Sequence, residues 1–187
     1  FFFTFIIMKN IGVFCGSKNG KNNVHQTLVV DVARWIGTKK YNLIFGGGRT
    51  GLMHILCKES AKFKIKIYGI IPYYLDYIDE SSNHENFITD KIITKSVDER
   101  MNQFLARSDF FIALPGGIGT LSEVLDVMVK KELKESKKKI YLVNDTKFWD
   151  QFANLLNSFV NEKFLNNCTL TDVVEIISLK ELQKKIR

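Results

Sequence analysis

Residues 114–123 read LPGGIGTLSE, a glycine turn followed by a hydroxyl and a carboxylate. Glycines carry no Cβ, so successive backbone N–H groups in such a turn can converge on an anion. A helix starting there adds partial positive charge from its unpaired N–H groups. Gly116, Gly117 and Gly119 are therefore candidates to cradle a phosphate, with Thr120 adding a hydroxyl donor. Glu123, within the first helical turn, can face the same cleft, and Asp126 shares its helical face. Leu121, Val124, Leu125 and Met128 supply the face expected to be buried. An acidic residue early in a helix is also what the macrodipole favours, so residue type alone leaves Glu123 open between catalysis and helix stabilisation.

A second glycine cluster, GGGRTG at residues 46–51, places Gly46, Gly48 and Gly51 at the spacing G-x-G-x-x-G. That spacing alone is a weak dinucleotide signal. It follows the second strand rather than the first, and no acidic residue stands where a ribose diol would be held, which disfavours a nicotinamide dehydrogenase. The plainer alternative is a tight strand-to-helix turn. His25 and His54 fall within helical patterns and His84 in a polar stretch, without metal-ligand spacing. No metal site is expected. Nothing around Lys62, Lys64 or Lys66 marks a pyridoxal phosphate site, so lysine decarboxylation is rejected. Cys15, Cys57 and Cys168 are an odd, widely spaced set, which suits reduced thiols in the cytoplasm better than a disulfide frame.

The elements that must position these groups alternate along the chain. Buried-strand runs are expected at 11–15, 41–45, 65–71, around 92–93, 109–114, 140–143 and 173–177. Helical patterns are expected at 24–39, 51–63, 97–107, 120–134 and 149–163, with a short helix in the tail, and residues 73–90 read as a long acidic loop around Asp79, Glu80 and Glu85. Strand–helix alternation implies right-handed crossovers and a mostly parallel sheet covered on both faces. The fold class is thus α/β, a Rossmann-like doubly wound single domain over residues 8–187. The glycine-rich breaks fall at the carboxyl ends of strands, where such folds bind ligands.

With 187 residues, 45% hydrophobic and 25% charged, the composition excludes a disordered or fibrous chain. The net charge of +7 invites an anionic partner. Its lysines concentrate at 130–139 and 180–187 among Glu132, Glu135 and Glu181, however, which reads as solvated helix ends and argues against nucleic acid as a partner. Residues 1–7 are apolar but too few to span a bilayer. They lack a basic signal-peptide region, Met8 reads as a natural start, and the segment is set apart from the functional domain. No membrane association is expected.

Taken whole, P-G-G-x-G-T-x-x-E at residues 115–123 is a family signature, and the chain resembles the LOG ("lonely guy") family. The resemblance runs from about residue 11 to 164 and includes VFCGS at 13–17, the G-G-G-x-x-G-L-M pattern at 46–53, GIIP at 69–72 and FIALPGG at 111–117. It implies hydrolysis of the N-glycosidic bond of a nucleoside 5′-monophosphate, AMP or an N6-modified, cytokinin-type AMP. The products would be free base and ribose 5-phosphate, without a cofactor. It implies a catalytic pair, Glu123 with Arg100 of the segment VDERM at 97–101. The carboxylate would stabilise positive charge developing on the ribose, and the forked guanidinium would hold an anionic oxygen and steer it. The rival reading of Arg100 is a surface ion pair with Asp98 or Glu99.

By the same resemblance, Gly116, Gly117, Gly119 and Thr120 hold the phosphate, Gly46, Gly47 and Gly48 border the cleft, and the base lies towards Ser17, Leu52 and Met53. A homodimer is expected. Asp98 and Met101 stand where the family has histidine and lysine, and Ser122 where many members have glutamate. Losing a lysine beside the phosphate should weaken anion binding. The alternative function is a non-catalytic nucleotide or molybdenum-cofactor carrier of the same fold.

Overall fold

A computed structural model describes residues 8–76 and 87–186. The segment 1–7, and Asp79, Glu80, His84 and Glu85 of the expected loop, lie outside the described residues. Among the described residues, seven strands form one sheet: β1 (Asn10–Phe14), β2 (Asn42–Phe45), β3 (Ile67–Pro72), β4 (Asp90–Thr94), β5 (Phe110–Ala113), β6 (Ile140–Val143) and β7 (Val174–Ile177). Their order is β4-β3-β2-β1-β5-β6-β7, and every pairing is parallel, where the sequence led one to expect mostly parallel. Between them run α1 (Asn23–Thr38), α2 (Gly51–Ala61), α3 (Tyr73–Asp76), α4 (Val97–Arg107), α5 (Ile118–Glu132), α6 (Asp150–Asn161), α7 (Asn167–Val173) and α8 (Leu179–Lys185). Among the described residues no helix is long and apolar enough to cross a membrane.

Strand side chains alternate between two cores, as a sheet buried on both faces requires. Ile11, Val13, Leu43, Phe45, Phe110 and Ile112 pack with α1, α2 and α8. Phe14, Ile44, Phe111 and Ala113 face the opposite way and pack with α4 to α7. Gly12 leaves room for its sheet partner on β5, since a Cβ there would come 2.5 Å from the Phe111 ring.

Several helices end on a lysine in the left-handed conformation, where glycine is usual: Lys40 (φ 56°), Lys64 (φ 56°), Lys134 (φ 63°) and Lys163 (φ 65°). After α1 the Tyr41 N–H donates to the Ile36 carbonyl and the Lys40 N–H to Gly37, each at 3.1 Å, a Schellman-type end. An ammonium there complements the negative helix terminus, which gives part of the basic excess a local structural use.

Four expectations need correction. Tyr73–Asp76 is a single helical turn rather than loop, and Asp90–Thr94 a full edge strand. Helix α7 was not expected, because Asn, Thr and Cys are weak helix formers; Val173 and Leu170 in the core and a Lys131–Asp172 pair at 3.1 Å hold it. Leu125, expected on the buried face of α5, is 40% exposed.

Candidate active site

Three strand ends converge at the carboxyl edge, where the order switches direction at β1. After β1, the Gly16 N–H donates to the Pro115 carbonyl beyond β5 at 3.0 Å. The Gly16 carbonyl accepts from Met53 N–H at 3.2 Å, and the Ser17 carbonyl from the Thr50 hydroxyl at 3.0 Å. The loops after β1, β2 and β5 are thereby knitted into one rim. Gly51 (φ 58°) must be glycine here, because a Cβ would fall 2.3 Å from the Ser17 backbone.

The rim encloses a cleft of about 830 Å³. It brings together all twelve residues singled out from the sequence: Ser17, Leu52, Met53, the three glycines 46–48, Arg100, Gly116, Gly117, Gly119, Thr120 and Glu123. Their surroundings divide them. A Cβ on Gly116 would lie 2.1 Å from Thr120 Oγ1, whereas one on Gly117 or Gly119 would meet nothing within 4 Å. Those last two, with the first-turn N–H groups of α5, which no side chain of the described residues caps, form the open cradle. Leu52 is buried in the core, so apolar contact at that wall rests mainly with half-buried Met53.

Arg100 and Glu123 meet across the cleft floor, Nη2 to Oε1 at 2.9 Å, with side chains only 16% and 14% exposed. The rival pairing of Arg100 with Glu99 or Asp98 is not made. Glu99 instead serves the start of α4: its backbone N–H donates to Ser96 Oγ (3.1 Å) and its carboxylate accepts from Lys95 N–H (2.7 Å). The Arg100 Nε–H donates to the Ile70 carbonyl at 3.0 Å. Gly46 leaves room for the guanidinium, since a Cβ there would lie 2.4 Å from Nη2.

Burial pushes the Glu123 carboxyl up to about 7; Arg100 pulls it down and nearby Asp126 adds to the rise. Asp126 is itself raised by burial, opposed by Lys130 and reinforced by Asp98. Cys15, beneath the cleft, is held as a neutral thiol by burial and by the Glu123 charge. Sequence reasoning missed Ile118, Phe148 and His25, which also line the cleft, with the His25 and Phe148 rings 5.8 Å apart. Their one available signal was position: Phe148 follows β6 and Ile118 follows β5, both at the carboxyl edge.

The sequence profile described as "Possible lysine decarboxylase" matches residues 53–186. The cytokinin riboside 5′-monophosphate phosphoribohydrolase LOG5 of Arabidopsis thaliana is 31% identical over 178 residues, covering 95% of this chain and 77% of that protein. The chain belongs to the LOG family. A cytokinin riboside 5′-monophosphate phosphoribohydrolase from Rhodococcoides fascians is 28% identical over 89% of this chain and 83% of its own. Solved structures share the fold. A molybdenum cofactor binding protein from Rippkaea orientalis matches with TM-score 0.64 at 22% identity, covering 97% of this chain and 98% of that one. The molybdenum cofactor carrier protein of Chlamydomonas reinhardtii matches with TM-score 0.66 at 19% identity, covering 96% of each.

Within this LOG-family chain, the position of the missing lysine behaves differently from expectation. Met101 is 5% exposed, packs in the core under α4 and lies outside the cleft lining. Lys62 pairs with Glu59, and neither it nor Lys64 or Lys66 lines the cleft. The basic run is largely engaged inside the fold: Lys130 with Glu135 (3.4 Å), Lys131 with Asp172 (3.1 Å), Lys139 with Glu175 (3.0 Å), and Lys138 with the Leu105 carbonyl.

Proposed function

We propose that the protein hydrolyses the N-glycosidic bond of nucleoside 5′-monophosphates, AMP or N6-modified adenine nucleotides, giving free base and ribose 5-phosphate. The observation that carries this reading is the buried Arg100–Glu123 pair, 2.9 Å apart beside an open glycine cradle. The cradle at Gly117 and Gly119 suits the 5′-phosphate, which fixes the ribose over the pair. As the C1′–N bond breaks, its electrons leave with the base and positive charge grows on the ribose. The Glu123 carboxylate stabilises that charge at close range in a site largely shielded from water. Water then adds its oxygen to C1′ and gives one proton to Glu123, whose value near 7 suits a group that takes and returns a proton at neutral pH. The proton passes on to the departing base nitrogen. Arg100 holds the carboxylate in place and offers its remaining donors to a ribose or phosphate oxygen.

The activities of the similar phosphoribohydrolases support this reading, and the test is a chromatographic assay with AMP, isopentenyl-AMP, GMP and CMP. Base release lost in Glu123→Gln is the expected result. No base from any of the four, with a pterin or nucleotide co-purifying, would install the carrier reading instead.

The active form we propose is a homodimer in the cytoplasm. Ile118, Leu125, Val129 and Leu133 form an exposed apolar stripe along α5 that begins at the cleft. A second copy seated there would bury the stripe and wall the cleft. Val129→Glu is expected to convert dimer to monomer in light scattering; an unchanged mass would place the interface elsewhere.

A further inference from the structure

Arg100 is fixed by more than its two hydrogen-bonded partners. Phe104 follows it by one helical turn on α4, so both side chains share a face, and helical side chains lean back towards the preceding turn. The guanidinium carbon lies 5.4 Å from the Phe104 ring centroid, within cation–π reach. The Arg100 side chain is 16% exposed and Phe104 is wholly buried, so the contact is largely removed from water.

The ring is itself immobilised. Its centroid lies 5.0 Å from Phe14, edge to face, and Phe14 stacks on Phe111 at 5.3 Å with planes 9° apart. Phe14 ends β1 and Phe111 lies in β5, the two strands that lead into the loops holding Gly16 and Gly116. A continuous stack of three rings thus joins the guanidinium to the strands whose loops meet at the cleft rim. The Ile70 carbonyl engages Nε–H and Glu123 engages Nη2, while Nη1 has no acceptor among the described residues.

We propose that Phe104 is a positioning residue: its ring face holds the Arg100 guanidinium in the one orientation that grips Glu123 and keeps Nη1 free for the substrate's oxygen. This rests on the phosphoribohydrolase reading of the cleft. Without the ring, the Arg100 side chain keeps its charge but gains freedom to rotate about its terminal bonds. The pair then spends less time in the reactive arrangement, which lowers the rate of the chemical step more than it weakens substrate binding.

The test uses full-length protein carrying Phe104→Leu, alongside near-isosteric replacement of Phe104 by mono-, di- and trifluorophenylalanine. Fluorination drains the ring face of negative charge while preserving shape and apolar character. The expected result is a stepwise fall in kcat across the series, reaching about tenfold for the trifluoro ring, with KM within about twofold. Phe104→Leu should fall at least as far, and its acid limb should move to higher pH as Glu123 loses a fixed counter-charge. A flat fluorine series, with Phe104→Leu altering only thermal stability, would overturn the proposal and leave Phe104 a packing residue. The second readout needs no turnover: hydrogen exchange at Arg100 Nε–H, followed by NMR, should accelerate along the fluorine series. If wild-type protein releases no base, the functional reading fails; exchange that stays constant along the series would overturn the positioning role independently.

Discussion

Two carboxylates in this molecule sit against positive side chains: Glu123, 2.9 Å from Arg100 in the cleft, and Glu175, bonded to Lys139 and Lys185 at the far side of the sheet. Burial raises Glu123 to about 7, and one guanidinium only partly offsets it while Asp126 adds to the rise. Partial burial also raises Glu175, but hydrogen bonds from Lys185 and Lys139 outweigh that, and it ends below its ordinary value. The number of donors and the degree of burial decide the sign, not the presence of an ion pair. A carboxylate poised near neutrality can exchange protons with a substrate. One locked as an anion can only tie β7 to the start of β6 and to α8.

The comparison breaks first on activity. Glu123→Gln and Arg100→Ala should each lower kcat/KM for base release by about two to three orders of magnitude, while Glu175→Gln should stay within about twofold. A large loss in Glu175→Gln at unchanged stability would show the far cluster to be coupled to the cleft.

Stability against pH should separate the pair by sign. Glu123 binds its proton more tightly folded than unfolded, so its contribution is fully present below its ordinary value of 4.5 and is lost as pH rises through about 7. Denaturant titrations of wild type against Glu123→Gln should show the wild type losing about 3 kcal/mol relative to the variant across that window. Glu175 should behave oppositely: its stabilisation is present above the ordinary carboxylate range and disappears as pH falls through its lowered value. Parallel curves for the two variants would remove the distinction.

Smaller effects sharpen the geometry. Gly46→Ala puts a methyl 2.4 Å from Arg100 Nη2, so kcat should fall about tenfold while the melting point moves little. Gly117→Ala meets nothing within 4 Å; its fold should be unchanged, with the loss appearing in KM as the cradle narrows. The smallest effect belongs to Glu175→Gln, about 1 kcal/mol of stability at neutral pH, since its partners are partly solvated.

Much of this architecture is legible in local pattern. The run DFFIAL at 109–114 and the glycine turn after it announce β5 and the start of α5, because buried strands and positive-φ or open turns demand particular residue types nearby in the chain. The four-residue α3 was not legible, being too short to show a period, and α7 was masked by its weak helix formers. Leu125 looked buried because apolar character does not say which of two apolar flanks faces the core.

The site divides along the same line. The sequence by itself determined the α/β alternation and the glycine turns at strand ends, while the resemblance carried by the joint motif implied Arg100 as the partner of Glu123. Local pattern alone offered Asp98 and Glu99 as partners for Arg100. Only the tertiary structure set Arg100 against Glu123, buried both, moved Met101 out of the cleft and stacked Phe104 beneath the guanidinium. The physical reason is range. Propensity and periodicity act over a few residues, whereas desolvation and the meeting of strand ends depend on the sheet order that sets β5 beside β1.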